Sequence, residues 1–105
     1  MTELILAWTT VADKTSAEDL AKMAVQKQLA ACVQVDGPVR SFYSWDGTVQ
    51  DDQEWRLFFK TTSEKVAGLK TWMNEAHPYD NPEWISVAAG DVSTSYLGWA
   101  RDVLN

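Results

Sequence analysis

The sequence predicts an α+β sandwich in which two helices cover one face of an antiparallel sheet. Three observations carry that expectation. Hydrophobic periodicity runs strand, helix, strand, strand, helix, strand along the chain. The two central strands meet at Asp46-Gly47, a tight-turn pair between alternating apolar residues. At 105 residues, 46% hydrophobic and 23% charged, the chain suits a single domain over 1–105 with one core.

Glu3 to Thr10 is a short, mostly apolar run and reads as a buried strand, followed by a polar loop from Val11 to Thr15. Ser16 is the expected N-cap of the first helix, with Glu18 and Asp19 in its first turn favouring the helix dipole. Ala17, Leu20, Ala21 and Ala24 form one face, and Glu18, Lys22 and Gln26 the solvent face. The helix is expected to end near Leu29.

The hairpin spans roughly Ala30 to Thr62. A two-residue turn sets Trp45 opposite Thr48, and the same register carried inward sets Cys32 opposite Thr61. Gly37-Pro38 interrupts the first arm, because proline cannot donate a ladder hydrogen bond, and predicts a bulge or bend. The acidic stretch Asp51-Asp52-Gln53-Glu54 reads as a solvated edge that repels unwanted strand pairing.

Ser63 is the expected cap of the second helix, whose stripe is Val66, Leu69, Met73 and Ala76. Pro78 stops that helix by holding His77 extended. Glu83 to Ala89 reads as a fourth strand, Gly90-Asp91 turns the chain, and Ser93 caps a short final helix carrying Tyr96, Leu97, Ala100, Val103 and Leu104. The order β-α-β-β-α-β plus a terminal helix is that of the ferredoxin-like sandwich. Its second sheet face would be bare in a monomer. The hairpin is longer than one small sheet needs and is loaded with Phe42, Tyr43, Trp45, Trp55, Phe58 and Phe59, so another copy of the chain is expected to cover part of it.

Composition removes several function classes. The net charge is −6 with no run of Lys or Arg, which leaves no electrostatic footprint for nucleic acid and disfavours anionic membrane surfaces. One cysteine excludes an intrachain disulfide framework and any paired-cysteine zinc motif. The apolar run Leu4 to Trp8 lacks a preceding basic region and is too short for a signal peptide or a span, so a cytoplasmic location is expected. No phosphate loop, dinucleotide fingerprint or nucleophile elbow is present, and a non-enzymatic role is expected.

Few residues can carry chemistry. Cys32 is either a small buried hydrophobe or a soft metal ligand. His77 is the single histidine, at a helix end in a proline-bounded loop with Tyr79, Asp80 and Glu83 close in sequence. Glu83 can orient His77, accept a proton, or pair with Lys60. Lys60 either snorkels at an edge or presents a cation to an anionic ligand. Arg56, in an otherwise apolar strand, faces solvent or reaches a partner subunit's acid.

Together, Ala30-Ala31-Cys32-Val33, Tyr43-Ser44-Trp45-Asp46-Gly47, Lys60-Thr61-Thr62, His77-Pro78-Tyr79 with Pro82-Glu83, and Gly90 followed by Tyr96-Leu97-Gly98-Trp99 closely resemble the CutA divalent-cation-tolerance family along essentially the whole chain. The resemblance implies a PII-like homotrimer with hairpins extending into neighbouring subunits. It also implies tolerance of divalent metals, copper especially, with no obligatory cofactor. It places Cys32, His77 and Glu83 as metal ligands at an intersubunit pocket, with Tyr43, Trp45, Lys60 and Tyr79 lining it. Two departures from the family pattern are Gln34, where many members carry Asn, and Arg56, in a usually more apolar strand. The extra cysteines of some members are absent, which removes a multi-cysteine copper site. The alternative is a signalling or scaffold trimer that binds a small anionic ligand or a protein partner.

Overall fold

The computed structural model describes residues 2–105. Its elements are β1 (Leu4–Val11), α1 (Lys14–Gln26), β2 (Cys32–Trp45), β3 (Thr48–Thr62), α2 (Val66–Ala76), β4 (Ile85–Ala88) and α3 (Thr94–Val103). The strands form one antiparallel sheet in the order β2-β3-β1-β4, the ferredoxin-like arrangement expected from the element order.

Alternation in the strands decides which face is covered. Ala7, Val11, Leu57 and Phe59 point to one face and are fully buried beneath Leu20 and Ala24 of α1 and Leu69 and Met73 of α2. On the other face, α3 covers only one end, where Leu4 and Ala31 pack with Ala100 and Leu104. Trp8 and Phe58 lie farther along that face and stack with ring centroids 5.0 Å apart. Thr61, fully buried, donates its hydroxyl to the Leu29 carbonyl at 2.7 Å, so the chain leaving α1 is tied to β3.

The local signals were partly displaced. α1 begins earlier than expected, with Asp13 as its N-cap: the carboxylate accepts the Ser16 amide at 3.0 Å and the Ser16 hydroxyl at 2.8 Å. Asp and Ser are equally good caps, and Asp13 precedes the first amide that needs one. The helix also ends earlier, at Gln26, because Gln28 takes a left-handed φ of 57°. Lys65, not Ser63, occupies the N-cap position of α2 and makes no side-chain cap bond. The Ser63 hydroxyl instead accepts the Glu3 amide and donates to Glu64. β4 is shorter than the apolar run that predicts it, while the stop at His77 and the cap position of Ser93 are as expected.

The hairpin turn sets Trp45 opposite Thr48, as expected. Gly37 and Pro38 together oppose the single residue Trp55, a bulge with one extra residue in β2. That extra residue slides the inner register by one, so Cys32 faces Lys60 and not Thr61. Gly37 adopts φ +153°, and a Cβ built there would lie 2.9 Å from two Trp55 ring carbons.

β1 pairs with β3 only from Trp55 to Thr62. Beyond the bulge the hairpin continues alone, from Val39↔Glu54 to Trp45↔Thr48, with no third strand beside it among the described residues. This projecting arm makes the molecule 45 Å long against 26 and 22 Å in the other directions.

Candidate functional site

The segment from His77 to Glu83 is fastened to the sheet at both ends. The His77 amide closes α2 by bonding to the Met73 carbonyl at 2.9 Å. The His77 ring is buried, and both nitrogens are engaged. Nε2 lies 2.8 Å from the Thr10 carbonyl and must donate to it, while Nδ1 accepts the Tyr79 amide at 3.0 Å. The imidazole is therefore neutral, and burial pushes its pKa below the usual value despite the Thr10 carbonyl and the nearby Glu54, which favour the charged form. At the far end, the Thr9 hydroxyl donates to the Glu83 carbonyl at 2.7 Å.

Tyr79 joins this loop to the projecting hairpin by donating its phenol to Glu54 at 3.0 Å. Burial, reinforced by the Glu54 hydrogen bond and charge, pushes the phenol well above its ordinary pKa, so it stays a donor. Tyr43 donates in the same way to Asp52, and that bond raises its pKa as well. Strand alternation puts Tyr43 and Trp45 of β2 on the same face as Asp52 and Glu54 of β3.

Loop and hairpin thus enclose an open cleft of about 790 Å³. Its aromatic walls are Tyr43, Trp45 and Tyr79, with Phe42 at the rim; its acids are Asp52, Glu54, Asp80 and Glu83. Among the described residues, no Lys, Arg or His lines it. Arg56 lies nearby, but its guanidinium holds Asp36, its cross-strand neighbour, at 2.6 and 3.2 Å. That pair keeps the Asp36 carboxyl below and the Arg56 guanidinium above their usual values. Arg56 is exposed, the solvent-facing arrangement the sequence allowed, with its partner in the same chain.

The residues singled out from the sequence therefore divide. Tyr43, Trp45, Tyr79 and Glu83 come together in the cleft, and His77 braces the loop behind it. Cys32 and Lys60 face each other elsewhere: Lys60 pairs with Leu6, four residues along β1 from Thr10 at the cleft floor, roughly 13 Å away at strand spacing. Cys32 is half-buried there, and the Lys60 ammonium lies 5.6 Å from the Phe58 ring centroid and 5.7 Å from that of Tyr96. Among the described residues, no group of three or more His, Cys, Asp or Glu side chains is arranged to hold a metal ion within the protomer. Asp52 and Glu54 lie in the stretch that reads as a solvated edge. The signal that places them in the cleft is their register, since Ser41↔Asp52 and Tyr43↔Gln50 put them beside the aromatic face. Among the described residues, no helix is long and apolar enough to cross a membrane.

Comparison with known proteins locates this arrangement. The family model for the CutA1 divalent ion tolerance protein matches residues 5–103. The Protein CutA homolog of Xenopus laevis is 37% identical over 101 residues, covering 96% of this chain and 67% of that protein. The divalent-cation tolerance protein CutA of Thermus thermophilus is 36% identical over 102 residues, covering 97% of each. Among solved structures, CutA from Synechococcus elongatus superposes with a TM-score of 0.94 at 37% identity, over 98% of this chain and 91% of that one. CutA from Xylella fastidiosa gives a TM-score of 0.95 at 33% identity, over 98% and 99%.

Proposed function

The chain belongs to the CutA1 divalent ion tolerance protein family, and on that footing we propose that it is a homotrimer binding divalent cations, copper among them, at pockets completed between subunits. The observation that carries this reading is the hairpin beyond the bulge. A two-stranded ribbon without further support is marginal in water. This one also exposes Phe42, Trp45 and Val49 at 65, 64 and 73%. Ile85 and Val87 of the edge strand β4 are about half exposed as well. Copies of the chain covering the Phe42 and Val49 face of one another's hairpins would remove apolar surface from water.

Assembly also supplies what one protomer lacks. Cys32, His77 and Glu83 are the proposed ligands, and their separation within a chain means that a site using a thiolate with a carboxylate takes them from different subunits. His77 joins such a site only by giving up its bond to Thr10 or to the Tyr79 amide. The acidic lining of the cleft disfavours a small anionic ligand at the His77–Glu83 loop, and Lys60, the other contact expected for such a ligand, lies away from it. The role is binding, without turnover, and the proposed location is the cytoplasm.

Native mass spectrometry of the metal-stripped protein, titrated with Cu(II), Cu(I) and Zn(II), tests both parts. The expected result is a trimer that takes up three ions of one metal and loses them in Cys32→Ala and Glu83→Gln. A monomer overturns the assembly. A trimer whose metal uptake is unchanged by those substitutions overturns the ligands.

A further inference from the structure

The cleft has a chemistry that a divalent metal does not exploit. Such an ion needs several oxygens converging to about 2.0–2.6 Å. The carboxylates here are spread around the walls, without a metal-holding group among the described residues. Between them stand aromatic rings whose polar ends are already committed: the Tyr43 phenol to Asp52 and the Tyr79 phenol to Glu54. Those bonds fix the two rings where they line the cleft, the Tyr79 ring backed by His77 with centroids 4.9 Å apart. On the opposite face of the same arm the Arg40 guanidinium, held by Asp51, lies 5.5 Å from the Phe42 ring centroid.

We propose that this cleft, walled by Tyr43, Trp45 and Tyr79 and ringed by Asp52, Glu54 and Glu83, binds an organic cation of the quaternary-ammonium type. Such a cation carries its charge over several methyl groups. It is attracted by aromatic faces and by carboxylates that do not touch it directly, and it needs no converging ligand shell. The cleft volume of about 790 Å³ lies in the ordinary range for small-ligand sites. Val49 belongs to the opposite face of the hairpin by strand alternation, so a second copy covering Val49 does not fill the cleft. This ligand is distinct from the metal ions proposed above, and its recognition uses an indole that no metal ligation requires.

The test is calorimetric titration of the intact protein with choline, beside its neutral isostere 3,3-dimethylbutan-1-ol and a peptide bearing trimethyllysine. The expected result is saturable binding of choline or of the peptide at one per chain, with the neutral isostere at least about tenfold weaker. Trp45 is exposed, so Trp45→Ala keeps the fold and should weaken the cation by about tenfold; Glu83→Gln should also weaken it. Binding of choline identifies a free small molecule. Binding of the peptide alone identifies a modified protein partner. No binding of either, equal binding of the neutral isostere, or an unchanged affinity in both variants overturns the proposal. Metal uptake by the parent protein, followed by native mass spectrometry, reports separately on the metal site, because it is read without choline or the peptide present.

Discussion

Replacing Gly37 with alanine probes the bulge on which the hairpin register depends. The new Cβ would lie 2.9 Å from Cδ2 and Cε3 of Trp55 and 3.1 Å from the Glu54 carbonyl. The ring belongs to a partly buried residue packed against the core, and the carbonyl is backbone, so neither yields cheaply. Holding a side chain at φ +153° costs about 1–3 kcal/mol. The steric insertion adds about 1–3 kcal/mol, and the lower entropy of the unfolded alanine chain returns about 0.4–1 kcal/mol. The expected net loss is therefore about 1–6 kcal/mol, a large share of a typical domain's stability. Urea unfolding followed by tryptophan fluorescence at fixed protein concentration measures it as a lower midpoint with unchanged slope. A second substitution, Trp55→Ala, separates the two causes. If the ring clash matters, the double variant loses less than the sum of the single losses, by about 1 kcal/mol or more. A loss below about 0.5 kcal/mol in Gly37→Ala would refute the account of the bulge.

Thr61→Val removes a fully buried hydroxyl and leaves the Leu29 carbonyl without its donor, so a loss of about 1–3 kcal/mol is expected in the same assay. A change within about 0.3 kcal/mol would mean that the carbonyl finds another partner. The depressed pKa of His77 sets a pH dependence. The native state resists protonation, so the full contribution is present above the ordinary histidine value of 6.5 and is lost as pH falls through it toward the lower native value. Thermal melts between pH 7.5 and 5 should show this decline in the parent and a shallower one in His77→Gln. Parallel slopes would remove His77 from the account.

Much of the fold was legible because its signals are short-range. Asp46-Gly47 specifies the tight turn, Pro38 specifies an interruption, and Pro78 ends α2 at His77. What was not legible depended on the result of one local feature acting at a distance. The bulge was expected at Gly37-Pro38, yet its shift of the inner register, from Thr61 to Lys60 opposite Cys32, follows only once the extra residue is assigned to β2. The cap of α1 went to Asp13 because two good cappers three residues apart, Asp13 and Ser16, compete and sequence does not rank them. The site was legible in part. Tyr43, Trp45, Tyr79 and Glu83 meet, but Asp52 and Glu54 were hidden in a charged run, where composition says solvent and only face alternation says cleft. His77 drew attention as a reactive side chain, whereas its two ring hydrogen bonds make it the brace that sets the position of the loop.

The sheet order has a consequence for how the chain is made. β1 is synthesised well before either of its neighbours: Leu4 pairs with Thr62, and Ile5 with Ala88. The run Leu-Ile-Leu-Ala-Trp therefore leaves the ribosome long before any strand exists to receive it. α1 and the hairpin close through nearby residues and can form first, whereas β1 waits for contacts of high sequence separation, which slow folding. During that interval an apolar, unpaired segment is open to association with other nascent chains. β3 is the strand on which both β1 and the hairpin depend, so its arrival is what first gives that segment a partner.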